Sequence, residues 1–354
     1  MRTILVTATK EGSGKTGIAL GLALAARDRG ASVGYMKPKG TRLRSYEGAV
    51  VDTDPVLASE LLDLDDDVDD MEPIVYSSTF VERAIRDAIE PSEIPELVRD
   101  RFDALVDEHD LMLVEGGGSL TTGGIVALTD AEVAALLDAD VLLVAPYEGA
   151  GAVDEILAAT DRLGDRLLGV VFNAVPDDDF DHVQEHVIPF LERRGVPVLG
   201  VLPRVKELAG VTVEELAAHL NAEVVAGADA TGTVERFLIG AMTSESALRY
   251  FRRTRDTAVI TGGDRADLQS AALEASGVNC LILTGGFAPS GAIVGKAQAE
   301  DVPILLVGTD TLTTVERAEE LVRGGRVRDE RTVRTVRDLL ADHADLDAIL
   351  GGSG

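Results

Sequence analysis

The sequence runs to 354 residues with 33 basic against 62 acidic side chains, a formal net charge of −29. That length carries about two domains of ordinary size, and the acid excess excludes the basic footprint that nucleic acid or an anionic membrane surface demands of a partner. Its one cysteine, Cys280, sits in the apolar run 278–283 and reads as a core thiol, which excludes an intrachain disulfide or a thiolate metal cluster.

Lysine is nearly absent. Only Lys10, Lys15, Lys37, Lys39, Lys206 and Lys296 occur, and arginine supplies the other cations. An acidic, lysine-poor, Ala/Val/Gly-rich composition resembles that of proteins from salt-loving archaea, in which high salt screens self-repulsion. The N-terminus has no signal-peptide pattern, because Lys10 and Glu11 interrupt any apolar region. No apolar run approaches the roughly 18 residues of a membrane span. A cytoplasmic protein is expected.

Residues 3–7 are a short apolar, β-branched strand. The loop Thr9-Lys10-Glu11-Gly12-Ser13-Gly14-Lys15-Thr16 follows, then an apolar, small-residue helix from Gly17 to Ala26. Strand, glycine loop and helix in this order are the context of a phosphate-binding loop. Gly12, Ser13 and Gly14 would turn backbone N–H groups toward an anion at the helix N-terminus. Lys15 would meet the β- and γ-phosphates, and the Thr16 hydroxyl would ligate Mg²⁺. The first glycine of the standard spacing falls on Thr9, and the loop reads better as K-x-G-x-G-K-T, with Lys10 as a second lysine.

A second strand, 31–36, delivers Lys37-Pro38-Lys39-Gly40 at its carboxyl end, where open α/β sheets gather ligands. Lys37 could hold a carboxylate or phosphate as a point charge. Residues 51–55 open a helix that runs to Leu62, with Asp52 or Asp54 either capping it or facing Mg²⁺. Residues 63–78 read as acidic and irregular, and 92–108 as a helix. The strand 110–114 ends in Glu115-Gly116-Gly117-Gly118, an apolar strand that delivers a carboxylate beside a nucleotide loop. Strands at 140–146, 167–172 (leading to Asn173) and 198–202 alternate with helices, which gives a doubly wound parallel sheet over 1–206. The Asp-rich pieces 64–67 and 176–179 read as solvated loops. His182 and His186 share a helical face with no third ligand in view. Residues 207–326 alternate again as a smaller α/β unit. Its loops 261–265 and 284–286 are either anion sites or tight turns. A peripheral helical tail is expected over 327–354.

The first 206 residues resemble dethiobiotin synthetases and the related cobyrinic acid amide synthases. Lys10–Thr16, Met36-Lys37-Pro38, Asp54 at a helix start, Val114-Glu115-Gly116-Gly117-Gly118 and Asn173 after an apolar strand carry the likeness. The resemblance implies ATP as ligand, with Lys15 and Thr16 on its phosphates and on Mg²⁺. It implies Thr16, Asp54 and Glu115 at the metal, Lys37 on the carboxylate being phosphorylated and Asn173 on the adenine. Lys10 is more typical of partition-type ATPases, where a dimer supplies it across an interface. Residues 208–325 resemble the DRTGG domain, through Ile260–Leu268 and Leu283–Phe287. A P-loop domain of this kind followed by a DRTGG domain resembles the front of long phosphotransacetylases, and no acetyltransferase catalytic domain follows within these residues, so acetyl transfer by this polypeptide alone is not expected. The resemblance implies an ATP/Mg-binding regulatory protein of acetyl-CoA or acyl-phosphate metabolism, a homo-oligomer that partners an acyl-CoA or acetyl-phosphate enzyme. A carboxylate-activating ligase and a partition-type dimeric ATPase are the alternatives.

Overall fold

The computed structural model describes residues 1–41, 43–46, 49–107, 109–205, 208, 210–227, 232–323 and 329–351. The chain divides into two compact units, 1–204 with 327–354, and 205–326. The expected boundaries at 206/207 and 326/327 fall outside the described residues.

The first unit is built on six parallel strands: β1 (Arg2–Ala8), β2 (Val33–Met36), β3 (Leu111–Glu115), β4 (Asp140–Pro146), β5 (Leu167–Val175) and β6 (Val198–Pro203). They lie side by side in the order β6-β5-β4-β1-β3-β2. Both faces of such a sheet are covered, so its strands read as unbroken apolar runs without alternation. Thr3–Ala8 and all of β2 and β3 are buried accordingly. The order reverses around β1, so the carboxyl ends of β1, β2 and β3 share one crevice.

Helix α1 (Lys15–Asp28) leaves the loop after β1, and every residue from Lys15 to Ala26 is buried. A helix that is apolar all round needs cover on both sides. The sheet gives one side. The other is the helix Glu330–His343, which packs on α1 with Val333, Val336 and Leu340 buried. Within the stretch expected to lie at the periphery, residues 330–343 are thus helical, but one face of that helix is buried in the first unit.

Further helices are α2 (Thr53–Leu62), α3 (Glu93–Leu105), α4 (Asp130–Leu136) and α5 (Gly151–Leu163). The segment 63–78 is less irregular than its composition. It holds a helical turn, Val68–Met71, capped by Asp67, and a short strand, Ile74–Val75, pairing with Lys39–Gly40. Asp177–Asp179 also depart from the loop reading. They form the first turn of a helix, where carboxylates complement the N-terminal dipole.

The main sheet of the second unit has five strands, β7 (Glu223–Ala226), β8 (Arg236–Ile239), β9 (Thr257–Gly262), β10 (Val278–Thr284) and β11 (Ile304–Leu306), in the order β7-β11-β10-β9-β8. Only β7 is antiparallel to its neighbour. Apolar clusters cover both faces of this sheet. Cys280 is buried in one of them, and burial pushes its thiol up to about 12. Among the described residues no helix is long and apolar enough to cross a membrane.

Candidate functional site

The loop between β1 and α1 is held in shape by its own side chains. Gly14 caps α1 in the left-handed region at φ 89°, where a side chain would be strained and would also collide with the Asn173 amide. Ser13 Oγ donates to the Lys10 carbonyl at 2.7 Å. Asn173, within β5, donates from Nδ2 to the Ser13 carbonyl at 2.9 Å, so the residue expected at the adenine contacts the loop backbone here.

Lys15 starts α1 and is only 7% exposed. Its ammonium donates to the Gly118 carbonyl, and no carboxylate forms an ion pair with it among the described residues. Burial lowers its pKa, and the nearby charges of Glu115 and Asp130 pull against that. A buried ammonium without a counter-ion is costly, and it sits at a helix N-terminus that itself favours negative charge. An anion at this loop would relieve both. The residues therefore fit a phosphate group.

Three elements converge beside it. β3 delivers Glu115, paired in register with Val6 of β1. Asp52 caps α2 from just before its start, its carboxylate accepting the Asp54 N–H at 3.0 Å, and this places Asp54 in the first turn with its side chain buried. β2 delivers Tyr35 and, just past its end, Lys37. Thr16 Oγ1 lies 2.8 Å from Glu115 Oε1 and 3.2 Å from Asp54 Oδ2. The Tyr35 hydroxyl donates to Glu115 Oε2 at 2.6 Å. Lys37 Nζ contacts Asp54 Oδ2, lies 2.7 Å from Asp52 Oδ2 and 3.8 Å from Glu115 Oε1, and is 1% exposed. Burial alone would lower the Lys37 pKa, yet Asp54, Glu115 and Asp52 together hold it above the ordinary lysine value. Burial raises Glu115, with Lys37 opposing and Asp54 adding to the rise.

Sequence reasoning missed several members of this cluster. Tyr35 was read only as a strand residue. Asp130 accepts from Thr7 and pairs with Lys39 at 2.5 Å, all three buried. A capping box, Thr129 with Glu132, fixes the start of α4 and so the place of Asp130. The Thr-x-x-Glu spacing was the signal that could have found it. Glu72, in the segment read as irregular, is buried and accepts from the Asp52 N–H at 2.8 Å.

Lys10 stands apart. Its ammonium lies 3.0 Å from Glu148 and 3.3 Å from Glu155 of the same chain and is 40% exposed. Hydrogen bonds to those two carboxylates raise its pKa.

Among the described residues no group of three or more His, Cys, Asp or Glu side chains could hold a metal ion alone. A hard, small cation such as Mg²⁺ does not need one: it keeps waters and takes one or two carboxylates plus ligand phosphates. The oxygens of Thr16, Asp54 and Glu115 fit that partial set.

Comparison with known proteins places the chain as follows. A family described as AAA domain matches residues 2–212, and one described as DRTGG domain matches residues 215–321. The chain is similar to a phosphate acetyltransferase of Pseudomonas putida, 29% identical over 367 residues, covering 98% of this chain and 51% of that protein. The chain thus spans about half the length of that relative. It is also similar to an ATP-dependent dethiobiotin synthetase of Methanocaldococcus jannaschii, 25% identical over 207 residues, covering 56% of this chain and 92% of that protein. Among solved structures, the MinD cell division protein of Aquifex aeolicus aligns with a TM-score of 0.37 at 16% identity, covering 59% of this chain and 84% of that one.

Proposed function

The chain belongs to the AAA domain family over residues 2–212, and from that membership we propose that its first unit binds ATP with Mg²⁺ as a regulatory module of acetyl-CoA or acyl-phosphate metabolism. One observation carries the nucleotide part: Lys15 is a buried ammonium with no ion pair among the described residues, placed where a glycine loop meets a helix N-terminus. Lys15 would neutralise phosphate charge, and the α1 N-terminus would cradle the phosphate oxygens. Thr16, Asp54 and Glu115 would hold the cation, whose part is to neutralise phosphate charge further. Similarity over nearly the whole chain to a phosphate acetyltransferase supports the metabolic setting.

A carboxylate-activating ligase is favoured less. That chemistry needs an ammonium to meet the substrate carboxylate, and Lys37 is buried and already faces three carboxylates of its own chain. A partition-type reading needs Lys10 to reach a second subunit, and here it is paired within the chain.

Calorimetry in KCl with Mg²⁺ tests the nucleotide site. ATP binds the wild-type chain, and Lys15→Ala weakens binding roughly tenfold to a hundredfold, the worth of one charge-assisted hydrogen bond. Heat that is equal for both chains overturns the assignment. The regulatory part is tested in native extract. An acetyl-phosphate-forming activity that co-purifies with the chain and responds to ATP supports it; its absence from the co-purified material counts against it. Release of ADP with small carboxylates and ammonia, lost in Lys37→Ala, would instead establish the ligase.

A further inference from the structure

The two carboxylate oxygens that face the Thr16 hydroxyl are the same two that face the Lys37 ammonium. Asp54 Oδ2 and Glu115 Oε1 lie 3.2 and 2.8 Å from Thr16 Oγ1. Asp54 Oδ2 also contacts Lys37 Nζ, and Glu115 Oε1 lies 3.8 Å from it. We propose that Lys37 is a built-in cation: in the free protein its ammonium holds Asp54 and Glu115 together, and a divalent ion can take these oxygens only by exchanging with it.

This rests on the nucleotide-binding reading and says how that site is regulated. Three features carry it. First, the cluster is charge-dense and dry. Asp52, Asp54 and Glu115 are each at most 2% exposed, so carboxylates this close repel strongly unless a cation lies among them. Second, the ammonium has somewhere to remain. Asp52 Oδ2, at 2.7 Å, is a separate anchor on which Lys37 can stay when Asp54 and Glu115 are surrendered. Third, Tyr35 holds the Glu115 carboxylate from behind at Oε2, and the Asp52 cap fixes the Asp54 backbone at its N–H, so both residues keep their place through the exchange.

The consequence is a threshold. A bare divalent ion must displace an ammonium from two buried carboxylates with only Thr16 added as ligand. An ion arriving with a nucleotide brings phosphate oxygens as further ligands and Lys15 as a counter-charge for them. Metal and nucleotide therefore bind together, and metal alone binds poorly.

The test is Mn²⁺ binding to the full chain in KCl, read by the electron paramagnetic resonance of free Mn²⁺, without nucleotide and then with ADP. The wild-type chain is expected to take up Mn²⁺ only when ADP is present. Lys37→Met keeps the length and loses the charge, and it is expected to bind Mn²⁺ without nucleotide at least about tenfold more tightly than wild type. Removing the cation can also unfold the chain, so the same variants are melted with and without Mn²⁺. A rise in Tm on adding Mn²⁺ that is larger in Lys37→Met than in wild type supports the exchange. Equal Mn²⁺ affinity in the two chains, or a Lys37→Met chain that no divalent ion restores, overturns it. If neither chain binds ADP, the nucleotide reading falls, while the metal-only comparison still decides the role of Lys37.

Discussion

The Glu72 carboxyl is 5% exposed, gives one oxygen to the Asp52 N–H and has no hydrogen-bond partner for Oε1 among the described residues. Burial pushes its pKa from 4.5 up to about 7, with the Asp52 N–H pulling against that and the Asp52 charge adding to it. A carboxyl whose folded pKa is raised binds its proton more tightly when folded. Its contribution to stability is then fully present below pH 4.5 and is lost as pH rises through about 7. The shift corresponds to about 3 kcal/mol across that window. Glu72→Gln removes this titration while keeping an acceptor for Asp52. Urea melts at a series of pH values should show the variant gaining on wild type as pH climbs from 5 to 7.5, by on the order of 2–3 kcal/mol. A difference that does not change with pH would show that Glu72 is charged throughout. Nothing local marked this residue. Lys15, Thr16 and Glu115 were legible because strand, loop and helix order announces where their side chains go. Tyr35, Glu72 and Asp130 enter the cluster through contacts 80, 20 and 123 residues away in sequence, and a single chain gives no sign of such pairs.

The helix that carries the loop is itself held by a helix from the far end of the chain. A Cβ at Gly21 of α1 would stand 3.0 Å from Leu340 Cδ1 and 3.2 Å from the Arg337 backbone nitrogen. Gly21 is therefore an approach point for Glu330–His343. Alanine there gains about 1 kcal/mol of helix propensity and loses much of it to the contact, so Gly21→Ala should be near neutral. Gly21→Val adds branched bulk against backbone and should cost about 2–4 kcal/mol, with faster amide exchange over 330–343. A valine variant as stable and as protected as wild type would mean that the two helices separate without cost. The sequence offers only a peripheral helical tail over 327–354; that Val333, Val336 and Leu340 form a buried face of the helix at 330–343 comes from the structure. Which element its buried face met was not legible, since α1 reads equally as a helix covered by any neighbour. The parallel strands, buried on both faces, could be read directly. The short elements at 68–71 and 177–182 could not, because acidic residues serve equally in loops and in first turns.

On the scale of the whole molecule two electrostatic effects oppose each other as salt is added. The excess of 62 acidic over 33 basic side chains makes the folded state self-repulsive, and screening relieves that. Exposed ion pairs such as Arg2–Asp140, Arg166–Asp138 and Arg334–Glu330 are weakened by the same screening. Each such pair is worth about 0–1 kcal/mol. Even a handful is therefore small beside the repulsion among carboxylates that have no basic partner in excess. Net stabilisation by salt should win. The Debye length falls from about 10 Å at 0.1 M to about 3 Å at 1 M, shorter than the spacing of most surface charges, so the screening gain should be nearly complete there. A thermal melt followed from 0.1 to 3 M KCl should show Tm climbing steeply up to about 1 M and then flattening. A Tm that falls over the first interval would mean that the ion pairs outweigh the repulsion. A rise that continues undiminished to 3 M would point to exclusion of the salt from the protein surface in place of charge screening.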